Sequence, residues 1–519
     1  GSFIAKNLII NNGVTLTITG GESVNLTGFV DNLNEDNEGL ILHSDGFLNQ
    51  SHMGVNGNTG GAKVQRASAE IYRLDYTIWS SPTSGDGNVV NGQTLLQFSP
   101  ETVPTRFYDY QTTTNFFVPI SANSQFQPAK GYLIRAPNNH PSYNVASPVP
   151  GTNWTGQFQG VPNSGDYSYA LDTSGTKFNM IGNPYPSKLS LEDFLEVNTN
   201  IEGTIYLWRR KNAQNDDSTT QAYYATYTSA GGTSTGAPSD SSDPNNLPDG
   251  FAQVGQGFIV QATATTTAPA EVVFTNAMRS AENPFSPFFR GSATAATPVE
   301  KDRFWLNLGS AGEINNQMLI AYLPTSQNGV DRADGKSFGE SSISLTSYLD
   351  GQEYAIQGRA TFEDTDIVPL NFRTATAGSY TITLHDVEGV FEDGQDIFLR
   401  DNVTAAVHDL NSGDYTFASE AGNFNNRFEI LYANPLSVAN PVFDANGVIA
   451  IKQGGNIVVN AGNITIASVK VFDIRGSLIA EKNNVNASEV SINAGTTKQV
   501  LIVQVTSDDN RTVSKKVIN

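Results

Sequence analysis

Apolar and polar residues alternate along most of this chain, in short runs separated by glycine and asparagine. Near the N-terminus, Val14, Leu16 and Ile18 are apolar, and the residues between them are threonines. A period of two residues is that of a β-strand, whose successive side chains point to opposite faces. The pattern predicts an all-β fold of tandem β-sandwich domains, Ig-like or jelly-roll in type. Few helices are expected, the best candidate being Ser190–Val197, which Ser190 would cap.

Five regions follow one another along the chain. Residues 1–61 contain short, similar rungs and predict a β-solenoid-like remnant, and residues 62–290 predict a duplicated β-sandwich region. Residues 302–433 contain about eight strand-like runs divided by turn residues and predict another β-sandwich. Residues 434–447 predict a linker rich in Pro and Asn, and residues 448–519 predict a small Ig-like domain. Because solenoid rungs stack on neighbouring rungs, we expect the chain to be the C-terminal region of a longer protein.

Three short motifs occur twice within the duplicated region. Each copy has a strand that ends at a proline, then an aromatic strand, then a glycine followed by an aromatic and apolar strand. The pairs are DYTIWSSP (Asp75–Pro82) with KFNMIGNPYP (Lys177–Pro186), RFYDY (Arg106–Tyr110) with TIYLWRR (Thr204–Arg210), and KGYLIRA (Lys130–Ala136) with QGFIVQA (Gln256–Ala262). The unequal spacing between motifs is typical of strands joined by loops of variable length.

The composition narrows the range of partners. The chain has 30 Lys and Arg against 51 Asp and Glu, a formal net charge of −21, which argues against nucleic acid or an anionic membrane as a partner. It contains no cysteine, so disulfides, thiol catalysis and cysteine-based zinc sites are excluded. No apolar run of about 18 residues is present, so we expect no membrane-spanning helix.

The charge changes sign near the end of the chain. Residues 448–519 contain eight basic and five acidic side chains, a net charge of +3, so the remainder of the chain carries −24. Two of the lysines, Lys515 and Lys516, precede the last apolar pair, Val517 and Ile518. Lysines can simply protect an edge strand from aggregation. That explanation accounts for the lysines but not for the reversal of charge, which indicates a separate kind of surface.

This last region resembles the C-terminal sorting domains of proteins that Bacteroidota export by type IX secretion. The resemblance is carried by VKVFDIRGSLIAEK (Val469–Lys482), VNASEVSI (Val485–Ile492), VLIVQV (Val500–Val505) and the closing RTVSKKVIN. Gln499-Val500-Leu501 stands where the commonest variant, type A, has Gly-x-Tyr, so the domain looks more like the type C variant. The resemblance implies a sorting signal recognised by the outer-membrane translocon and a PorV-type shuttle protein. The residues that match the motif are Asp473, Arg475, Gly476, Val513, Lys515, Lys516, Val517 and Ile518.

Upstream blocks such as NMIGNPYPS, TIYLWRR and RFWLNL are also similar to long flavobacterial proteins with tails of this kind. The resemblance implies a protein that crosses the periplasm and is then secreted or held at the cell surface, with a structural or adhesive body. Two alternatives stay open. The body could be a carbohydrate-binding module with surface polysaccharide as its partner, which an exposed row of aromatic side chains would favour. It could also be the accessory region of a large enzyme whose catalytic domain lies upstream.

Candidate catalytic and ligand-binding residues are sparse. The chain contains no HExxH motif and no phosphate-binding loop, so we expect no enzymatic activity in this region and no resident cofactor or metal. Acidic turns at Asn34–Glu38 and Glu392–Asp396 could hold Ca²⁺ or could be solvated turn residues. Ser218, in the motif Asp217-Ser218-Thr219, resembles a Bacteroidota O-glycosylation site. The five histidines are scattered and would usually be surface or core residues; they are His43, His52, His140, His385 and His408.

Overall fold

The structure of the protein is a computed structural model. It describes residues 2–35, 37–85, 92–144, 151–208, 224–234, 247–280, 301–310, 313–338, 342–433, 443, 447–462, 464–495 and 499–518. These residues contain 42 strands, two short α-helices and two 3₁₀ turns, which confirms the all-β prediction. The chain divides into two compact units, residues 1–299 with 331–339 and residues 300–330 with 340–519.

Seven short strands at the start of the first unit form the parallel stacks of a β-solenoid. They are β1 (Phe3–Ala5), β2 (Leu8–Ile10), β3 (Leu16–Ile18), β4 (Ser23–Leu26), β5 (Val30–Asn32), β6 (Leu40–Leu42) and β7 (Phe47–Gln50). The stacks are β1-β4-β7, β2-β5 and β3-β6, and the third continues into the strand Ala62–Ile71 (β8). Phe3 lies opposite Val24 and Leu16 lies opposite Leu40, so one coil takes 21 to 24 residues.

The rest of the first unit consists mainly of antiparallel sheets. Its further strands are β9 (Tyr76–Trp79), β10 (Thr83–Ser84), β11 (Phe107–Gln111), β12 (Phe116–Pro119), β13 (Tyr132–Arg135), β14 (Thr152–Pro162), β15 (Tyr167–Ala170), β16 (Phe178–Gly182), β17 (Lys188–Ser190), β18 (Ile201–Trp208), β19 (Tyr224–Thr228), β20 (Gly231–Thr233), β21 (Phe251–Ala252), β22 (Gly257–Ala262), β23 (Glu271–Phe274), β24 (Arg279–Ser280) and the distant β27 (Gly335–Lys336). The α-helices are α1 (Leu95–Phe98) and α2 (Leu191–Val197), and a 3₁₀ turn covers Asn276–Met278. The predicted helix is confirmed, since the Ser190 hydroxyl accepts a hydrogen bond from the Asp193 N–H (3.2 Å).

The two copies of the repeated motifs form sheets with the same strand order. The first copy runs β9-β13-β11-β12 and the second runs β16-β22-β18-β19, so equivalent motifs occupy equivalent places. A backbone bridge joins Trp79 to Gln256, and another joins Lys130 to Ile181. Each bridge links the first motif of one copy to the third motif of the other. The two copies are therefore related by a local pseudo-twofold symmetry.

Glycine is required where the two copies meet. A Cβ atom added to Gly257 would lie 2.2 Å from Cγ2 of Ile78, and one added to Gly131 would lie 2.7 Å from Cγ of Met180. Contacts this short leave no space for any side chain. This close approach explains why the KGYLIRA and QGFIVQA motifs share a glycine at their second position.

The second unit begins with one long sheet. Its strands are β25 (Asp302–Ser310), β26 (Glu313–Tyr322), β28 (Ile343–Leu349), β29 (Gln352–Arg359), β30 (Ile367–Thr374), β31 (Gly378–Glu388), β32 (Phe398–Asp401), β33 (Ala406–Asp409), β34 (Tyr415–Ser419) and β35 (Gly422–Leu431), with a 3₁₀ turn at Gly389–Phe391. The order is β33-β32-β35-β30-β28-β29-β26-β25-β31-β34, and only β26 and β29 run parallel among these neighbours. One core contains Leu399 and Ile382, from strands near the two ends of this path, and Phe372, from a strand between them. The sheet therefore folds over on itself to enclose that core.

The last domain is a small sandwich of two antiparallel sheets. Its strands are β36 (Ile449–Gln453), β37 (Asn456–Asn460), β38 (Ile466–Asp473), β39 (Leu478–Ala487), β40 (Glu489–Asn493), β41 (Val500–Ser507) and β42 (Thr512–Ile518). The sheets are ordered β36-β37-β40 and β39-β38-β41-β42. Val459, Val471 and Val503 are fully buried in the core of this domain, and Phe443, from the predicted linker, packs in the same core. Of the predicted linker 434–447, only positions 443 and 447 lie within the described residues.

Residues 331–338 pack on the first unit, far along the chain from the residues that they contact. The Arg332 guanidinium donates a hydrogen bond to the carbonyl oxygen of Leu195 (2.7 Å), near the end of α2. The Thr204 hydroxyl donates to the carbonyl oxygen of Asp334 (3.1 Å). A Cβ atom added to Gly203 would lie 1.8 Å from the carbonyl oxygen of Arg332. This segment therefore completes the first unit.

Candidate functional site

Asp473 organises the turn that joins β38 to β39. Its carboxylate accepts hydrogen bonds from the backbone N–H groups of Arg475 (2.8 Å) and Ser477 (2.9 Å), and from the Arg475 guanidinium (3.1 Å). The backbone bond from Ser477 contributes most to lowering the pKa of Asp473, because these donors favour the ionised carboxylate. Gly476 has a φ of +83°, in the left-handed region that favours glycine. Asp473 and Gly476 thus build the turn, whereas the Arg475 side chain is 83 % exposed.

Alternation along β42 divides its predicted recognition residues between two faces. Val513 and Val517 point inward, and they are only 7 % and 5 % exposed. Lys516 and Ile518 point outward and are exposed. The two valines therefore fix the strand in the core, and Lys516 and Ile518 are the members of the motif that a partner could touch on this strand.

The outer face of the four-stranded sheet is apolar at one end. Phe472 lies directly opposite both Leu478 on β39 and Ile502 on β41, and Ile502 lies opposite Lys516 on β42. Ile518 lies on the same face two residues beyond Lys516. Leu478, Ile502 and Ile518 are 51 %, 40 % and 75 % exposed. We refer to Phe472, Leu478, Ile502 and Ile518 as the outer apolar face.

Sequence reasoning did not identify Leu478 or Ile502 as members of this surface. The one signal is the run VLIVQV (Val500–Val505), in which Ile502 lies between the core residues Leu501 and Val503. An apolar residue at an outward position breaks the alternation expected of a half-buried strand. A continuous apolar run is equally typical of a strand buried on both faces, so the pattern alone could not reveal an exposed face.

The last domain packs on the preceding sheet within the second unit. Ile451 belongs to an apolar cluster with Ala418, which lies on β34 of that sheet. The Lys515 ammonium lies 3.6 Å from Oε1 of Glu420. Lys515 is therefore directed toward the rest of the second unit, although it adjoins Lys516 in sequence.

Arg427 and Asp401 form a buried ion pair in the same part of the second unit. Nη2 of Arg427 lies 3.0 Å from Oδ2 of Asp401, and the side chains are 2 % and 0 % exposed. The guanidinium also lies 4.6 Å from the centre of the Phe417 ring and donates a hydrogen bond to the carbonyl oxygen of Ala418 (3.0 Å). Arg427 borders a cavity of about 130 Å³. Since its charge is already paired, we interpret this group as structural.

The aromatic side chains of the first unit pack mainly edge to face. The ring centres of Tyr110 and Phe117 are 5.4 Å apart with their planes at 71°, and those of Trp208 and Tyr224 are 5.2 Å apart with their planes at 80°. Sugar binding by stacking needs rings whose faces are open to the ligand. Phe116 is 70 % exposed, but one exposed ring does not form the row of aromatic side chains that sugar binding would favour. This cluster gives the carbohydrate-binding alternative no support.

The acidic turn proposed for Ca²⁺ is used in other contacts. Glu38 forms an ion pair with Lys63, and the Asn34 amide donates hydrogen bonds to backbone carbonyl oxygens. Asp36 and Ser218 both lie outside the described residues. Within the part of the chain that the structure describes, no group of three or more His, Asp or Glu could hold a metal ion.

The histidines take part in local contacts. Nε2 of His140 lies 3.0 Å from the carbonyl oxygen of Ile71, and Nε2 of His408 lies 2.8 Å from that of Gly413. Burial is the main factor that lowers the pKa of His52. These contacts position the rings within loops and strands, and Nε2 of His52 also lies 3.4 Å from the Ser164 hydroxyl.

The fold and the candidate site together define the class of protein. It is an all-β protein of successive sheets whose last domain is a small sandwich with one partly apolar outer face. The chain belongs to the family described as Domain of unknown function (DUF8693), whose profile matches residues 2–432. A second profile, Domain of unknown function (DUF8694), matches residues 436–519. No helix among the described residues has the length and apolar character needed to cross a membrane.

No curated protein matches the chain. Among solved structures, the chain is 10 % identical to one titled "Biofilm associated protein - BSP domain". The alignment covers 87 % of this chain and 97 % of that chain, with a TM-score of 0.17. At this TM-score neither a common fold nor a common function follows.

Proposed function

We propose that this chain belongs to a secreted or cell-surface protein, and that residues 448–519 are its signal for type IX secretion. The observation that carries the proposal is that a domain with its own core and a net charge of +3 presents part of the sorting motif on its outside. Arg475, Gly476, Lys516 and Ile518 are the exposed members of that motif, and Arg475, Lys516 and Ile518 are those with side chains that a partner can contact. The body, with a charge of −24, would have a structural or adhesive role outside the cell.

A folded signal must hold its recognised side chains at fixed separations. Asp473 and Gly476 set the conformation of the turn that carries Arg475. Val513 and Val517 are locked in the core and so determine the side on which Lys516 emerges. In this proposal, the motif residues divide into scaffold residues and contact residues, and the outer-membrane translocon with a PorV-type shuttle protein recognises the latter.

The proposal can be tested with a fluorescent protein that carries a Sec signal peptide and is fused to residues 448–519. The fusion would be expressed in a bacterium that has type IX secretion and in its translocon mutant. We expect fluorescence outside the first strain and in the periplasm of the second, while a fusion that lacks residues 448–519 stays in the periplasm of both. Periplasmic retention of the short fusion and of a fusion to the whole 519-residue chain in both strains would refute the proposal.

A further inference from the structure

We propose that the outer apolar face is the surface through which the last domain docks on its export partner, and that this partner presents a flat apolar patch bordered by carboxylates. The inference rests on the proposed function, because it names the part of the sorting domain that is recognised. It adds three residues, Phe472, Leu478 and Ile502, that the motif does not include.

The apolar residues of this face adjoin one another, with the half-buried Phe472 between the exposed Leu478 and Ile502. Single exposed apolar side chains are normal on a protein surface. Here the register places Leu478, Phe472 and Ile502 side by side on three adjacent strands, and Ile518 lies on the fourth. A contiguous exposed apolar patch on a polar protein marks an interaction surface more often than isolated residues do.

The outer apolar face is broad and shallow. Adjacent strands lie about 4.8 Å apart, so a row across four strands is about 15 Å wide. The side chains stand on an open sheet, because β39 and β42 are its two edges. A broad, shallow face of this kind fits another sheet or a β-rich wall better than it fits a helix, which needs a groove.

The outer apolar face is bordered by a basic side chain. Lys516 extends the row onto β42, whereas the charge of Arg475, which projects from the adjoining turn, is paired with Asp473 at 3.1 Å. The acidic Glu481 on β39 lies 3.2 Å from Lys470, so its charge is balanced within the domain. The domain as a whole carries +3. A partner that covers the apolar row must therefore place carboxylates around it. Basic groups in those places would lose their hydration while facing the positive charge of Lys516.

The test uses the whole 519-residue chain, behind a Sec signal and joined at its N-terminal side to a fluorescent protein. We expect the double variant Leu478→Ser/Ile502→Ser to be exported at least about tenfold less than the wild type, because two aliphatic contacts are lost. Ile367→Ser is the matched control, since Ile367 lies outside the last domain and is 45 % exposed, close to the 40 % of Ile502. It should be exported normally.

A charge variant provides a second, independent comparison. Lys516→Glu should reduce export, because it reverses the sign of the charge. Lys516→Arg should preserve export, because it keeps the positive charge. All of these positions are exposed, so the purified variants should unfold at the same temperature as the wild type. A loss of export with an unchanged unfolding temperature therefore reports recognition and not misfolding.

The possible failures are distinguishable. If the wild-type chain itself is not exported, the proposed sorting function is refuted. If the wild type is exported and the double variant is exported equally well, sorting stands and the docking face is wrong. If the purified chain forms dimers in analytical ultracentrifugation and Leu478→Ser/Ile502→Ser abolishes them, a second copy covers this face and the inference of an export partner is overturned.

Discussion

Replacing Arg427 by methionine tests whether the buried ion pair of the second unit stabilises its fold. Methionine retains much of the apolar volume of arginine but removes the charge that faces Asp401. Asp401 is 0 % exposed and would retain hydrogen bonds from the Tyr415 hydroxyl (3.1 Å) and the Val403 backbone N–H (2.9 Å). These neutral donors do not compensate a buried carboxylate. The free energy of unfolding should therefore fall by about 3–5 kcal/mol.

A chain of two units need not unfold in a single transition, so a global unfolding curve would not isolate this loss. Hydrogen–deuterium exchange of the full chain measures the loss within the second unit. The informative amides are those of β30 and β35, which are paired near the middle of the long sheet. A loss of about 3–5 kcal/mol would accelerate exchange through global opening by two to almost four orders of magnitude, because about 1.4 kcal/mol corresponds to a factor of ten.

Arg373→Met is the control within the same sheet. Its guanidinium lies 3.4 Å from Glu353, and the two side chains are 31 % and 20 % exposed, so its removal should cost less than about 1 kcal/mol. The double variant Arg427→Met/Asp401→Asn should recover much of the loss, since no unpaired charge is left buried. If Arg427→Met accelerates exchange no more than Arg373→Met does, burial has not made this pair important and the reasoning is refuted.

Three further predictions concern other parts of the molecule. Gly257→Ala should lower the stability of the first unit by about 1–3 kcal/mol, because the new Cβ would meet Ile78 at 2.2 Å; calorimetry that shows an unchanged transition would contradict this. Arg332→Ala should accelerate amide exchange in α2, since a carbonyl oxygen near its end loses a charged donor, and unchanged exchange would show that residues 331–338 do not hold the helix. Burial alone would raise the pKa of Asp366, but the hydrogen bonds from Arg359 (2.6 Å) outweigh it and the pKa is lowered. Its stabilising contribution is therefore full above the unfolded pKa of about 3.9 and is lost as the pH falls through the folded value. Asp366→Asn should make the stability of the second unit less dependent on pH in acid, and an unaltered dependence would exclude this pair as its source.

Features set by neighbouring residues could be predicted from the sequence. The helix at Leu191–Val197 was predicted because its cap, Ser190, acts on the backbone only three residues away. The strands were predicted because alternation of apolar and polar residues is also local. The contact between Arg332 and Leu195 joins positions more than a hundred residues apart, and neither the alternation nor the turn residues contain any sign of it.

The candidate site shows the same division. Asp473 and Gly476 were identified by resemblance, and turn chemistry accounts for both: an aspartate that accepts backbone N–H groups, and a glycine with positive φ. Leu478 and Ile502 were missed, because their exposure depends on which face of the sheet is covered. That is decided by the packing of two sheets, and a strand's own sequence does not record it.

The neighbouring lysines of β42 show how a strand assigns one motif to two surfaces. Lys515 lies opposite the core residue Val503 and turns toward Glu420, while Lys516 lies opposite the exposed Ile502. A receptor that captures an unfolded tail would meet both lysines equally. A receptor that reads the folded domain meets Lys516 together with the apolar row, and it meets Lys515 only if the contact with Glu420 opens. The two lysines are therefore not equivalent, and substitutions that treat them as a single basic motif combine an effect on domain packing with an effect on recognition.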